Sequence, residues 1–173
     1  MKKFQSKMVP QMVALTDYQN NKQLDMFSSP LSLSSISFPI YKLKPSEYIV
    51  SMDSENVLDF LSSSDERVWF MMNGELPKGL IIANNMEPIR MGGENRSKDL
   101  YQMYQSISNV CIDINEISYI EFEGQSLFRV SHHMGEDIYL SQGASDVLDL
   151  PYNQKISVCE FIKKMKKRIG TFN

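Results

Sequence analysis

This chain is short of the residues from which catalytic and metal sites are assembled. Of its 173 residues, two are histidine and two are cysteine. His132 and His133 are adjacent, and neighbours on a strand point to opposite faces, so one metal ion does not bridge them. The expectation is a strand end with one imidazole exposed. Cys111 and Cys159 stand in the apolar stretches NVCIDI and SVCEFI, which predicts two buried, reduced thiols. The serines lack a G-x-S-x-G elbow. MGGEN at 91–95 is only a glycine pair, and neither G-x-G-x-x-G nor G-x-x-x-x-G-K-[ST] occurs. Glu121, Glu123, Glu136, Asp137, Asp146 and Asp149 have no partners at a recognisable spacing and read as solvated. A non-enzymatic chain with no catalytic residue, no metal and no cofactor is expected.

Long apolar runs are missing too. No stretch approaches the roughly 18 residues of a membrane span. The opening MKKFQSKMVPQMVALTD starts with lysines but is broken by Gln5, Ser6, Lys7, Pro10 and Gln11. It therefore lacks the core of a secretory leader, and a cytoplasmic protein with no membrane partner is expected. Charge of one sign is also scarce. A formal net charge of −3 argues against a general nucleic-acid binder while leaving room for a local basic patch.

What is present is a hydrophobic content of 42%, enough for a core. Residues 1–38 are rich in Ser, Gln, Asn and Lys and poor in periodicity, which predicts a flexible N-terminal arm. A short helix around Val9–Leu15 is the one element that fits there. Residues 39–173 read as a single α+β domain, with a mostly antiparallel sheet and about three helices. IYKL (40–43), EYIVSM (47–52), RVWFMM (67–72), KGLIIAN (78–84) and NVCIDI (109–114) have strand character. Asn73-Gly74 is a hairpin pair. SSSDER (62–67) and NNMEPIRMGGEN (84–95) read as loop and turns.

The expected helices are DSENVLDFL (53–61), RSKDLYQMYQSIS (96–108) and a C-terminal one. In the second, Ser97 serves as cap, and Leu100, Met103, Tyr104 and Ile107 share a face. In the third, Ser157 and Glu160 form a capping-box pair, and Val158, Phe161, Ile162, Met165 and Ile169 form an apolar stripe. Gly170 reads as its stop. Residues 117–142, with turns at Gly124-Gln125 and Met134-Gly135, predict an antiparallel meander.

Two patches remain as sites for partners. Lys163, Lys164, Lys166, Lys167 and Arg168 crowd the end of the last helix. They suit the helix dipole and form the weakly indicated place for nucleic-acid contact. The second patch is QLDMF: Gln23, Leu24, Asp25, Met26 and Phe27. It resembles the pentapeptide by which bacterial proteins dock on the DNA polymerase sliding clamp, with Met26 in place of the usual leucine. The resemblance implies that Leu24, Met26 and Phe27 are anchors, that Gln23 sets register through its amide, and that Asp25 lies at the rim. A chance match in a chain of this length is on the order of one in a thousand. The implied partner is a bacterial sliding clamp, and the implied role is that of a replication or repair accessory factor or inhibitor.

A second segment, ISYIEFEGQSLFRVSHHMGEDIYLSQ (117–142), is similar to the closing part of small bacterial immunity proteins. It implies an alternative, in which the folded domain binds a partner protein and QLDMF is incidental.

Overall fold

The computed structural model describes residues 9–21 and 30–171. The elements run α1 (Pro10–Asn21), β1 (Ser32–Leu43), α2 (Ser46–Ser51), a 3-10 turn (Val57–Phe60), β2 (Leu61–Asn73), β3 (Leu76–Ala83), β4 (Pro88–Gly92) and α3 (Glu94–Val110). Then come β5 (Ile114–Phe122), β6 (Gln125–His132), β7 (Gly135–Leu140), α4 (Gln142–Leu148), β8 (Ile156–Ser157) and α5 (Val158–Gly170). Among the described residues the class is α+β, with five α-helices rather than three and an eight-stranded, mostly antiparallel sheet in the order β4-β3-β2-β1-β5-β6-β7-β8. β1 and β5 run parallel, with Ile40 opposite Tyr119.

The chain forms two compact units. One takes in the described residues up to Ser37 together with Asp65–Lys98, and the other holds Phe38–Ser64 and Asp99 onward. In the first unit α1 buries Ala14 and Leu15 in a cluster with Met71 and Ile81, and Tyr18, Leu31 and Leu33 pack against it. Much of segment 1–38 is therefore built into secondary structure. β1 begins at Ser32 and carries Pro39 within it. The polar composition of this segment hid that role, because two buried side chains per helix are enough to hold α1 when a strand receives them. Arg67 extends the packing by donating from Nε to Ser37 Oγ at 2.9 Å and from its guanidinium to the Ser37 carbonyl at 3.0 Å.

The second unit is organised around the β5–β6–β7 meander, whose register sets two faces. Ile120, Leu127 and Leu140 stand opposite one another on one face, as do Tyr119, Phe128 and Tyr139 on the other. The first face joins a cluster with Phe60, Ile156, Phe161, Ile162 and Met165. On the second face Phe128 lies 4.9 Å from Phe38 of β1, which is 5.5 Å from Tyr104 of α3 (ring centroids). Leu100, Met103 and Ile107 of α3 are fully buried, as their spacing predicts.

Several local expectations are corrected. EYIVSM lies largely in α2 rather than a strand. Pro45 opens the turn and its carbonyl accepts from Tyr48 and Ile49 N–H at 3.0 and 3.1 Å. DSENVLDFL shortens to one 3-10 turn, capped by Asn56 Oδ1 at 3.0 Å from Leu58 N. SSSDER is not a loop but the first half of β2, where Ser64 Oγ donates to the Ile40 carbonyl at 2.7 Å. β4 forms inside NNMEPIRMGGEN after a turn in which Asn84 Oδ1 accepts from Met86 and Glu87 N–H, each at 2.8 Å. Ser97 sits inside α3 and bonds back to the Glu94 carbonyl at 2.8 Å instead of capping. NVCIDI is not a strand. α3 runs to Val110, and Asp113 takes φ 57° before β5 begins at Ile114.

α4 was unexpected, and is capped by Ser141 Oγ, which accepts from Ala144 N–H at 3.2 Å. α5 is capped by Ser157 as its sequence requires, at 3.2 Å from Glu160 N, but it continues through Gly170.

Deleting the Phe161 ring should leave a cavity in the second unit's core and cost about 3–5 kcal/mol. Ser157→Ala should cost only about 1 kcal/mol, the value of one helix cap. Urea denaturation of the two variants checks both the magnitudes and their order.

Candidate functional site: a cavity at the end of α3

Within the second unit, a cavity of about 630 Å³ opens where α3 ends beside the tip of the β6–β7 hairpin and residues 153–155. Hydrogen bonds to α3 hold its third wall. Tyr152 donates to Asp99 Oδ1 at 3.0 Å, and Asn153 Nδ2 donates to Ser106 Oγ at 3.0 Å. The Asn153 N–H meanwhile bonds the Leu140 carbonyl at 3.0 Å, with Asn153 at φ 46°. Asparagine tolerates this left-handed conformation better than most residues.

The floor holds two polar pairs. His132 Nε2 lies 2.8 Å from Asp137 Oδ2, and the Met134 N–H reaches His132 Nδ1 at 3.3 Å. A backbone N–H can only donate, so Nδ1 accepts and the proton resides on Nε2, which donates to Asp137. Both ring nitrogens are thereby occupied, which leaves none to take a proton from a nucleophile. Lys155 Nζ stands 3.4 Å from the same Asp137 oxygen, so the buried carboxylate has charge compensation. In the second pair Cys111 Sγ lies 3.4 Å from the Tyr139 hydroxyl. Burial, then the contact with Cys111, pushes the Tyr139 hydroxyl well above its ordinary value of 10, so it stays neutral near pH 7.

The two histidines behave differently from one another. His132 is the last residue of β6 and is largely buried, while His133 lies beyond the strand and is exposed. One imidazole is exposed, as expected, yet both border the cavity because His133 has left the strand's alternation. Asp137, expected to be solvated, is buried. Cys111 is half-buried and Cys159 is exposed on the first turn of α5, and both are free thiols. Cys159 escapes burial because it falls off the apolar stripe of Val158, Phe161 and Ile162. Among the described residues, no group of three or more His, Cys, Asp or Glu is placed to hold a metal ion, and no helix is long and apolar enough to cross a membrane.

The remaining predicted residues lie elsewhere. Gln23, Leu24, Asp25, Met26 and Phe27 lie outside the described residues. The five cations of α5 do not form one free face. Lys164 meets Asp149 Oδ2 at 2.8 Å and holds that carboxyl below its usual range. Lys166 donates to the Met52 carbonyl and lies 5.3 Å from the Phe60 ring centroid. Arg168 pairs with Glu123 at 3.1 Å. Lys163 and Lys167 are exposed. Residues 117–142 form β5 to β7, and most of their apolar side chains are buried on the two faces, while Met134 at the β6–β7 turn is exposed.

Comparison with protein-family models, with curated proteins and with solved structures finds no match.

The elevated Tyr139 hydroxyl ties stability to alkaline pH. An unfolded tyrosine loses its proton from about pH 10 upward while the folded one keeps it, so this contribution is complete below pH 10 and declines above it. Unfolding free energy should fall as pH rises from about 10 to about 11, and Tyr139→Phe should flatten part of that fall. Urea denaturation across the range measures the slope.

Proposed function

We propose that this chain is a non-enzymatic protein-binding factor that docks on the bacterial sliding clamp through QLDMF at 23–27. Its role would be that of an accessory factor or inhibitor in DNA replication or repair. The observation that carries this reading is the ordered match of five residues, Gln23 to Phe27.

Its position in the chain adds a physical reason. The motif belongs to the connection between α1 and β1, and the two stems of that connection are tied together. Gln19 Nε2 donates to the Leu31 carbonyl at 2.9 Å, and Ala14 and Leu15 anchor the helix. A connection closed at its base has less chain entropy to lose on docking than a free tail of equal length. Leu24, Met26 and Phe27 would fill apolar pockets on the clamp, and Gln23 would pair with backbone groups at their edge. α1 and β1 belong to the fold, so removing residues 1–38 does not test the motif cleanly. Point substitutions inside it do.

The full chain should bind purified bacterial clamp with a dissociation constant of about micromolar order. Leu24→Ala/Phe27→Ala should weaken it at least about tenfold with unchanged circular dichroism. Calorimetry that finds no binding, or equal binding by the double variant, removes the proposal.

A further inference from the structure

The β6–β7 hairpin turns over two residues, His133 and Met134, with His132 opposite Gly135. The turn is tied down by a titratable side chain, because the Met134 N–H donates to His132 Nδ1 at 3.3 Å. The other ring nitrogen, Nε2, carries the proton and donates to Asp137 Oδ2 at 2.8 Å. Imidazoles ordinarily change charge between about pH 5 and 8. A second proton has one place to go, Nδ1, since Nε2 already holds one. Once Nδ1 is protonated, it and the Met134 nitrogen are both donors, and the bond between them is lost. The Nε2–H group is unaltered and keeps its hold on Asp137, whose carboxylate then meets a full positive charge.

The charged groups around the ring come from several segments. On β7, Asp137 faces it directly, and Lys155 Nζ meets the same carboxylate oxygen at 3.4 Å. In the turn, the His133 ring centroid lies 6.4 Å away, and His133 Nδ1 is 3.8 Å from Asp113 Oδ2. Cys111 and Tyr139 border the same cavity and pair with each other. On β5, Ile114 stands opposite His132. Glu116 and Glu136 on the flanking strands are engaged by Arg129. Proton uptake thus takes His132, Asp137 and Lys155 from no net charge to one positive charge, with Asp137 shared between two cations.

We propose that His132 is a proton-operated catch on the β6–β7 tip. Neutral, the ring holds the turn through the Met134 N–H. Protonated, it releases the turn while staying clasped to Asp137. Met134 borders the cavity with 81% of its surface exposed, so the release reshapes the cavity mouth as pH falls. The step takes one proton from solvent and needs no other reactant. It is independent of residues 23–27.

NMR of the full chain between pH 8 and pH 5, at constant ionic strength and with nitrogen-15 in backbone and histidine rings, tests the catch. At pH 8 the His132 ring should be the neutral tautomer with its proton on Nε2. As pH falls, Nδ1 should take up a proton, and the Met134 amide shift should follow with the same midpoint. Exchange of the Met134 amide with water, corrected for its ordinary pH dependence, should quicken about two- to tenfold. His133→Gln should leave this response in place, which separates it from titration of the neighbouring exposed ring. His132→Asn, which keeps an acceptor but does not titrate, should abolish it. A ring that stays neutral to pH 5 or starts with its proton on Nδ1 would overturn the proposal. So would a Met134 response that is absent, that disappears in His133→Gln or that persists in His132→Asn. The ring resonances and His133→Gln keep the test decisive if His132→Asn does not fold.

Discussion

Both faces of the β5–β6–β7 meander are buried, and most of the second unit follows from that constraint. A sheet exposed on one side can alternate apolar with polar residues, but one covered on both sides cannot. Leu127 and Phe128, neighbours in sequence, enter different packed layers. α5 must then be apolar along one stripe, and α3 must present Leu100, Met103 and Ile107. Burial also reaches residues that would prefer water. Arg129 is buried in β6, and its charge is met by Glu116 on β5, by Glu136 on β7 and by the Ser118 hydroxyl, with the Tyr41 ring 5.9 Å from it. An arginine in that position without those carboxylates would cost several kcal/mol.

The polar interactions of the second unit lie where the apolar layers end. On one face the Arg129 cluster occupies the end of the sheet at Glu116 and Glu136. On the other, Asp137 and His132 stand just past the aromatic row of Tyr119, Phe128 and Tyr139. The cavity forms beside them because α3 stops at Val110 while the β6–β7 hairpin continues. Residues 152 and 153 are tied to α3 through Asp99 and Ser106, which leaves the cavity wall little freedom of its own.

Elements held by periodicity and caps were legible in the sequence. α5, α3, the meander and the Asn73-Gly74 turn each carry a local signal strong enough to survive folding. Elements held by what lies next to them were not. EYIVSM has strand composition, yet Pro45 and the burial of Ile49 turn it into a helix. SSSDER looks like a loop, yet a neighbouring strand offers it partners, and polar side chains cost little on an exposed stretch. The cavity escaped notice because its residues come from three segments, 106–112, 132–139 and 153–155. Its members also look ordinary one by one. Asp137 and His132 acquire meaning only when the hairpin places them 2.8 Å apart.

The parallel pairing of β1 with β5 has a consequence for synthesis. Neither unit is continuous in sequence. The first is complete once residue 98 has left the ribosome, whereas the second needs residues 38–64 to wait for β5, β6 and β7. During that interval Phe38 and Ile40 have no β5 or β6 beside them, although both are buried in the finished protein. Such apolar strand surface invites pairing with other chains. The serines at 32, 34, 35 and 37, which dilute the exposed half of β1, make the nascent strand a poorer template for aggregation while the rest of its sheet is still being made.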